Sequence, residues 1–324
     1  MIKIVCFNIF FFIVLSIYAQ QEIVVDVTGK GNFTSIQSAI NSLSDSAKKE
    51  RRIYVKNGVY REKIFLAKHN IVLEGEDKKN TIIIQSIARD EFRCTAENDW
   101  GVATLNLSGN DITLKNLTIT NNYGFENIKE LIIACLNDTV KKQKTVRKDG
   151  HQMALRTFAT TRLKVLNCIL KAYGGDTVSP WNVEDGMFYF KDCEIEGGVD
   201  FYCPRGWAYA ENCKFYAHNG SAAILVNCYF DGFEGFKLGR WHRDAQFFLI
   251  NCKFSKSMAN EPIYLVKTTN QIQWGSRQYY YNCSREGGNY NWFANNIEEA
   301  KNIPNVKQIN AQWVFGKKWK INNK

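Results

Sequence analysis

Three polar residues recur at equal intervals. Gln152, Asp176 and Asp200 stand 24 and 24 residues apart, in the contexts HQMAL, YGGDTV and GGVDFYC. If the chain returns to the same place about every 24 residues, all three project from one face in adjacent turns. Two carboxyl groups held that close do not both ionise easily, so their pKa values split. The split leaves one acid and one base or nucleophile near neutral pH. Arg240, in FKLGRWHRD, follows 40 residues after Asp200. One long return or two short ones would bring it to the same face, where its guanidinium would keep one of the pair ionised. Both aspartates stand near glycine, which also suits an ordinary turn. The equal spacing and the added arginine favour a site.

Positioning such residues requires a repeating scaffold, and a repeat is present. LNCIL, KDCEI, ENCKF, VNCYF, INCKF and YNCSR place Cys168, Cys193, Cys213, Cys228, Cys252 and Cys283 after an Asn or Asp. The intervals of 25, 20, 15, 24 and 31 residues are too uneven for a helical repeat of fixed length. They suit a solenoid whose coils share a short strand and differ in their loops. The flanking residues are strand formers, as in FYFKDCEI and FFLINCKF. A free cysteine behaves as a small buried hydrophobe, so stacked copies predict an inward ladder. Nine cysteines follow residue 20, an odd number without a CxxC pair, which argues against a disulfide scaffold or a zinc ribbon.

The first half agrees. A strand is predicted at 23–27, and a capping box at Thr34–Gln37 opens a short helix to Leu43 with Ile36, Ala39, Ile40 and Leu43 on one face. Short strands follow at 52–55, 63–66, 71–74, 81–85, 104–108, 112–115 and 117–120, with period-two alternation as in ITLKNLTI. No helix-length segments intervene, which argues against a doubly wound α/β fold. The expected architecture is all-β: a right-handed parallel β-helix, residues 21–324 as one domain, with the helix covering its N-terminal end. The tail from Asn296 is expected to pack along the outside or to cover the other end.

Residues 1–20 read as a secretory signal: Lys3, an apolar run from Ile4 to Tyr18, then Ala19, with cleavage expected near Ala19. The address is periplasmic or extracellular. The 324 residues carry a formal charge of +10, and removal of the leader takes away one cation and no acid. A basic secreted chain points to a polyanionic partner. No nucleic-acid module is visible, no internal stretch is long enough to insert in a membrane, and a monomer is expected.

The motifs resemble those of the pectinesterases, or pectin methylesterases. The likeness begins in VVDVTGKGNFTSIQSAINSL, continues through IYVKNGVYREKI and QMAL around Gln152, then Asp176-Thr177, GGVDF and LGRW, in the family's order from about Val24 to Phe254. The resemblance implies a carbohydrate esterase acting on galacturonate methyl esters of pectin and releasing methanol. Asp200 would be the nucleophile and Asp176 the acid and then the base. Gln152 would donate to the oxyanion, and Arg240 would hold Asp200 ionised. Trp241, Trp207 and Tyr202 would contact sugar rings, with Tyr173, Trp181 and Trp292 as further ring candidates. Arg205 and Arg243 would meet substrate carboxylates. The partner implied is pectin or a related acidic polysaccharide, and no metal or cofactor is called for.

Departures accompany the likeness. Gly175 stands where the family carries a second oxyanion glutamine, and loss of one such donor costs on the order of 100–1000-fold in rate. The family's Arg-Pro-Trp is Arg240-Trp241-His242 here, and Tyr202-Cys203-Pro204-Arg205-Gly206-Trp207 replaces the usual segment after the nucleophile. The alternative is a β-helix that binds acidic polysaccharide with lost or altered esterase activity. A lyase, which would need a calcium-binding acidic cluster, and a glycosidase match the residues less well.

Overall fold

The computed structural model describes residues 22–45, 47–127, 129–218, 225–241, 245–267 and 272–321. The leader placed at 1–20 lies outside them, as do His242 and Arg243.

One coil shows the plan. Met153–Thr157 lies in a four-stranded sheet, Leu163–Leu166 in a ten-stranded sheet and Ile169–Ala172 in a nine-stranded sheet, after which Val178–Ser179 returns beside Met153–Thr157. All three sheets pair in parallel, with Leu155 opposite Val178, Leu163 opposite Phe188 and Ile169 opposite Glu194. The protein is a parallel β-helix, as its repeat predicts. The strands expected in the first half are found within a residue or so, for example Arg51–Val55, Ile71–Gly75, Thr81–Gln85 and Ile112–Lys115.

The Asn-Cys repeat has a physical cause at its first residue. Asn116, Asn167, Asp192, Asn212, Asn227, Asn251 and Asn282 all have φ between 49° and 55°. Asn and Asp tolerate this left-handed conformation better than other side chains, and it bends the chain from the ten-stranded sheet into the nine-stranded one. The amides pair along the axis: Asn167 Nδ2 donates to Asn116 Oδ1 at 2.8 Å, Asn251 to Asn227 at 3.1 Å and Asn282 to Asn251 at 2.9 Å. The bend turns the next residue inward. Cys168, Cys193, Cys213, Cys228 and Cys252 are buried in the core. Their thiols donate to carbonyls of the preceding coil, Cys193 to Val165 O and Cys252 to Leu225 O, both at 3.3 Å. Further in, Phe215, Phe230, Phe254 and Phe293 follow one another with centroids 5.1–5.5 Å apart.

One expectation about cysteine is corrected. Cys94 and Cys135, 41 residues apart, form a disulfide. It ties the turn after the helix Arg89–Phe92 to an antiparallel hairpin, Leu131–Ala134 with Gln143–Val146. The other seven cysteines among the described residues are free.

The ends of the core are covered. Ile36, Ala39 and Ile40 of the helix Ile36–Ser42 join Val25, Ile53 and Val55 in the core. Ser35, rather than Thr34, is the cap: its Oγ accepts from Ser38 N, and the Glu62 carboxylate accepts from Ile36 N and Gln37 N at 3.0 Å each. Gln37 instead holds Phe65, accepting from its N–H at 2.7 Å. At the other end Phe293 packs into the core, and beyond it Ile297, Ile309, Phe315 and Trp319 lie on the outer face of the ten-stranded sheet against Tyr189, Tyr209, Phe248 and Ile250. No helix among the described residues is long and apolar enough to cross a membrane.

Candidate active site

Glycines bring three coils together at the start of the four-stranded sheet. Gly150, Gly174 and Gly198 are in register: Gly175 N donates to Gly150 O at 3.1 Å and Gly198 N to Gly174 O at 2.6 Å. A Cβ on Gly174 would lie 1.9 Å from Gly150 O, and one on Gly175 would lie 2.5 Å from Val199 O, so side chains there would push the coils apart. This is the local reason for glycine at position 175: the close approach of the next coil occupies the space a glutamine would need.

The same register aligns the polar trio. Gln152 N donates to Gly175 O at 2.9 Å and Asp176 N to Val199 O at 3.1 Å, so Gln152, Asp176 and Asp200 sit in successive coils. Both aspartates adopt left-handed backbone, with φ of 56° and 55°. Sparsely populated conformations of this kind cost energy and collect at functional sites.

The two carboxyl groups live in different surroundings. Asp200 is paired with Arg240, whose Nε donates to Oδ1 at 2.8 Å and whose Nη2 donates to Oδ2. Arg240 reaches it from the strand Arg240–Trp241, paired with Tyr264–Leu265. This two-point pairing raises the Arg240 pKa, so the guanidinium is charged throughout the accessible range. Asp176 has no such partner. It is 7% exposed, and burial holds its carboxyl above the usual carboxylate range. His151 and Arg205 pull it down, Asp200 pushes it up, and Arg156 pulls it down weakly. Coordinates therefore bring Asp176, Asp200 and Arg240 into one neighbourhood.

Other expected residues fall elsewhere. Gln152 is fully buried; its Oε1 accepts from Gly124 N at 2.9 Å and its Nε2 donates to Lys148 O. Its amide braces the preceding loop rather than offering a donor to the groove. Trp241 is 6% exposed and belongs to the core, because Arg240 takes the outward position of that strand. Tyr202 is 2% exposed, its ring against Phe190 and Phe215 at 5.2 and 5.3 Å. Trp207 is exposed, but it opens the strand Trp207–Glu211 of the ten-stranded sheet and shares the outer face with Tyr209, around a corner from the aspartates. Tyr173 stacks on His218 at 4.9 Å, and Trp292 packs against Phe293. Burial and then Asp176 push the Cys203 thiol up to about 12, so it is no thiolate nucleophile at neutral pH.

Two neighbours of Asp176 escape a reading by sequence alone. His151 points outward, its Nδ1 3.9 Å from Asp176 Oδ2, because Gln152 points inward. Alternation along the strand is the right signal, with its phase reversed. Arg156, hidden in an otherwise apolar strand, is 5% exposed and donates to Ser179 Oγ at 2.7 Å.

Fold and site together define a class: a parallel β-helix with an unequal aspartate pair on one face, one member clamped by arginine. Comparison with known proteins then shows what the chain is similar to. Residues 22–163 match the Pectinesterase family model. The chain is 30% identical over 204 residues to Putative pectinesterase 11 of Arabidopsis thaliana, covering 61% of this chain and 48% of that one. It is 23% identical over 325 residues to Probable pectinesterase 8 of the same plant, covering 91% and 75%. Among solved structures, pectin methylesterase from Yersinia enterocolitica superposes with a TM-score of 0.68 at 20% identity, over 89% of this chain and 100% of that one. Pectin methylesterase PemA from Erwinia chrysanthemi gives 0.68 at 20% identity, over 92% and 97%. These likenesses make the pectinesterases the family that this chain resembles. It spans about half the length of Putative pectinesterase 11.

Proposed function

We propose that this protein is a secreted carbohydrate esterase that hydrolyses the methyl esters of galacturonate residues in pectin, with Asp200 as nucleophile. A carboxylate oxygen of Asp200 attacks the C6 carbonyl carbon. The tetrahedral intermediate collapses, the bond to the methoxy oxygen breaks, and the proton of Asp176 goes to that oxygen as methanol leaves. Asp176, now ionised, takes a proton from water, and the resulting hydroxide attacks the C6 carbonyl of the acyl-enzyme. Asp200 departs as carboxylate, and the product is a galacturonate carboxyl group. One ester and one water give one acid and one methanol, and the enzyme is regenerated.

The observation that carries this reading is the unequal pair in adjacent coils. Burial of Asp176 favours the protonated form that a leaving methanol needs, while Arg240 grips Asp200. Positive charge beside Asp176, including the nearly buried Arg156, favours a developing oxyanion. A side-chain amide is not part of this account, because position 175 is glycine and the Gln152 amide is engaged with Lys148 and Gly124. One solved relative, TM-score 0.67, is a pectin methylesterase in complex with a hexasaccharide, which supports a polysaccharide in the groove here. The Cys94–Cys135 disulfide supports an oxidising compartment outside the cytoplasm.

The engaged Gln152 amide also favours a second reading, a pectin-binding β-helix with lost or altered esterase activity. Incubation of the mature protein with highly methylated pectin separates the two. Methanol and new carboxylates in equal amounts are expected. No release from any methylated or acetylated pectin would leave the binding reading.

A further inference from the structure

The tail of the chain carries charge of one sign. From Ala300 to Lys324 the sequence AKNIPNVKQINAQWVFGKKWKINNK has six lysines and no acid. Apolar residues decide which way the lysines face. Ile309, Ala311, Phe315 and Trp319 are buried on the outer face of the ten-stranded sheet, with Tyr189, Tyr209 and Phe248. Lys318, Trp319 and Lys320 therefore alternate exposed, buried, exposed, and Lys317 is exposed as well. Lys164 of the strand Leu163–Leu166 joins them, its Nζ 6.0 Å from the Trp319 ring centroid. This face is remote from the acid pair. Asp176 stands on the turn from the nine-stranded to the four-stranded sheet, and the ten-stranded sheet closes the opposite side of each coil.

The charge is not balanced within the protein. Lys164, Lys317, Lys318 and Lys320 make no ion pair within 4.0 Å among the described residues. Lys115 and Lys191 of the same sheet, by contrast, pair with Glu74 and Glu211. Two indoles share the face. Trp207 is 57% exposed and opens the strand on which the helix Ala311–Phe315 packs. Trp313 of that helix is 37% exposed and meets the Phe248 ring edge to face at 5.9 Å. Exposed indoles among unpaired cations suit a ligand with apolar ring faces and negative charge. A uronate polymer has both, C–H groups on its pyranose faces and a carboxylate on each unesterified residue. Anionic lipid fits less well: an interfacial helix turns its apolar side outward, and here Phe315 and Trp319 turn inward.

We propose that the tail and the outer face of the ten-stranded sheet form a second, non-catalytic surface that binds acidic polysaccharide and tethers the protein to a polymeric substrate. The choice of polysaccharide rests on the esterase reading of the groove; the cationic surface itself does not. Tethering raises the concentration of esters around the groove without changing the groove. Its benefit is therefore confined to long or immobilised chains, and a short substrate that fills the groove alone gains nothing.

The test compares the wild type with the triple variant Lys317→Glu, Lys318→Glu, Lys320→Glu and with Trp207→Ala. Binding to immobilised, fully de-esterified polygalacturonate is expected to weaken about tenfold in the triple variant and about threefold in Trp207→Ala, with a wild-type affinity that falls as salt rises. Methanol release from methylated hexagalacturonate should be the same in all three proteins, while release from a pectin gel falls about tenfold in the triple variant. Equal binding by the wild type and the triple variant, or a hexamer rate that falls as far as the gel rate, overturns the proposal. So does unchanged polygalacturonate binding in Trp207→Ala, or tighter wild-type binding to duplex DNA or to phosphatidylserine vesicles at the same salt. Binding that depends on the tail lysines, with no methanol from any substrate, supports the surface and rejects the esterase reading. Methanol release with equal binding keeps that reading and rejects the surface.

Discussion

Asp200→Asn is expected to lower methanol release from methylated pectin by about ten-thousand-fold or more, with the fold retained. An amide cannot attack the ester carbonyl, and removal of a covalent nucleophile has effects of this size or larger elsewhere. The substitution is chosen for its backbone. Asp200 has φ of 55°, which asparagine tolerates better than alanine. The variant also removes one half of the pair with Arg240, leaving a guanidinium about one-third exposed without its carboxylate. A loss of about 1–3 kcal/mol in stability follows, small enough for the β-helix to survive. Methanol assays and thermal melts on the same preparation separate the two effects. A folded variant that keeps more than a few per cent of the activity removes Asp200 from the nucleophile's role.

Asp176→Asn is expected to slow the reaction by about a thousand-fold, the usual range for loss of a positioned acid and base. It should also stabilise the protein at neutral pH, and the sign follows from burial. The folded-state pKa of Asp176 lies above its ordinary value of 3.8. Well below that ordinary value the carboxyl is protonated in both folded and unfolded chains, and ionisation has no effect on stability. As pH rises through the interval between the two values, the unfolded chain ionises more readily than the folded one, and stability declines. Above the folded-state value the full penalty persists. Asparagine carries no such penalty, and it also accepts the φ of 56°. The variant should therefore melt higher than the wild type near pH 7, and the difference should vanish towards pH 3. A variant that melts lower at pH 7, or a gain independent of pH, would show that ionised Asp176 is not held at a cost.

Much of this was legible in the chain itself, because a β-helix converts spacing into proximity. The Cys168 to Cys283 repeat announces the coils, and the residue before each cysteine explains why it recurs: among residues with a side chain, Asn and Asp take the left-handed bend there most readily. The 24-residue interval from Asp176 to Asp200 is one coil, so the acid pair could be seen before any coordinates. The errors have one source, the inward or outward phase of single residues. Left-handed Asp200 breaks simple alternation, so Tyr202, two residues on, turns into the core. Arg240 faces out and Trp241 follows inward, while Gln152, expected on the outer face, turns inward and leaves that face to His151. The Cys94–Cys135 bond joins a helix and a hairpin that belong to no repeat, so no periodicity pointed to it. Arg156 carries no motif of its own; only its coil neighbours Ser179 and Trp181 show its place.

The unequal charge of two carboxyl groups one coil apart can be read most directly by NMR titration of the Asp176 side-chain carboxyl carbon, assigned by its absence from Asp176→Asn. The midpoint should lie above the ordinary aspartate value and should fall in Asp200→Asn, where the neighbouring negative charge is gone. A midpoint at or below the ordinary value, or one that Asp200→Asn leaves unmoved, would mean that the two groups do not share a site.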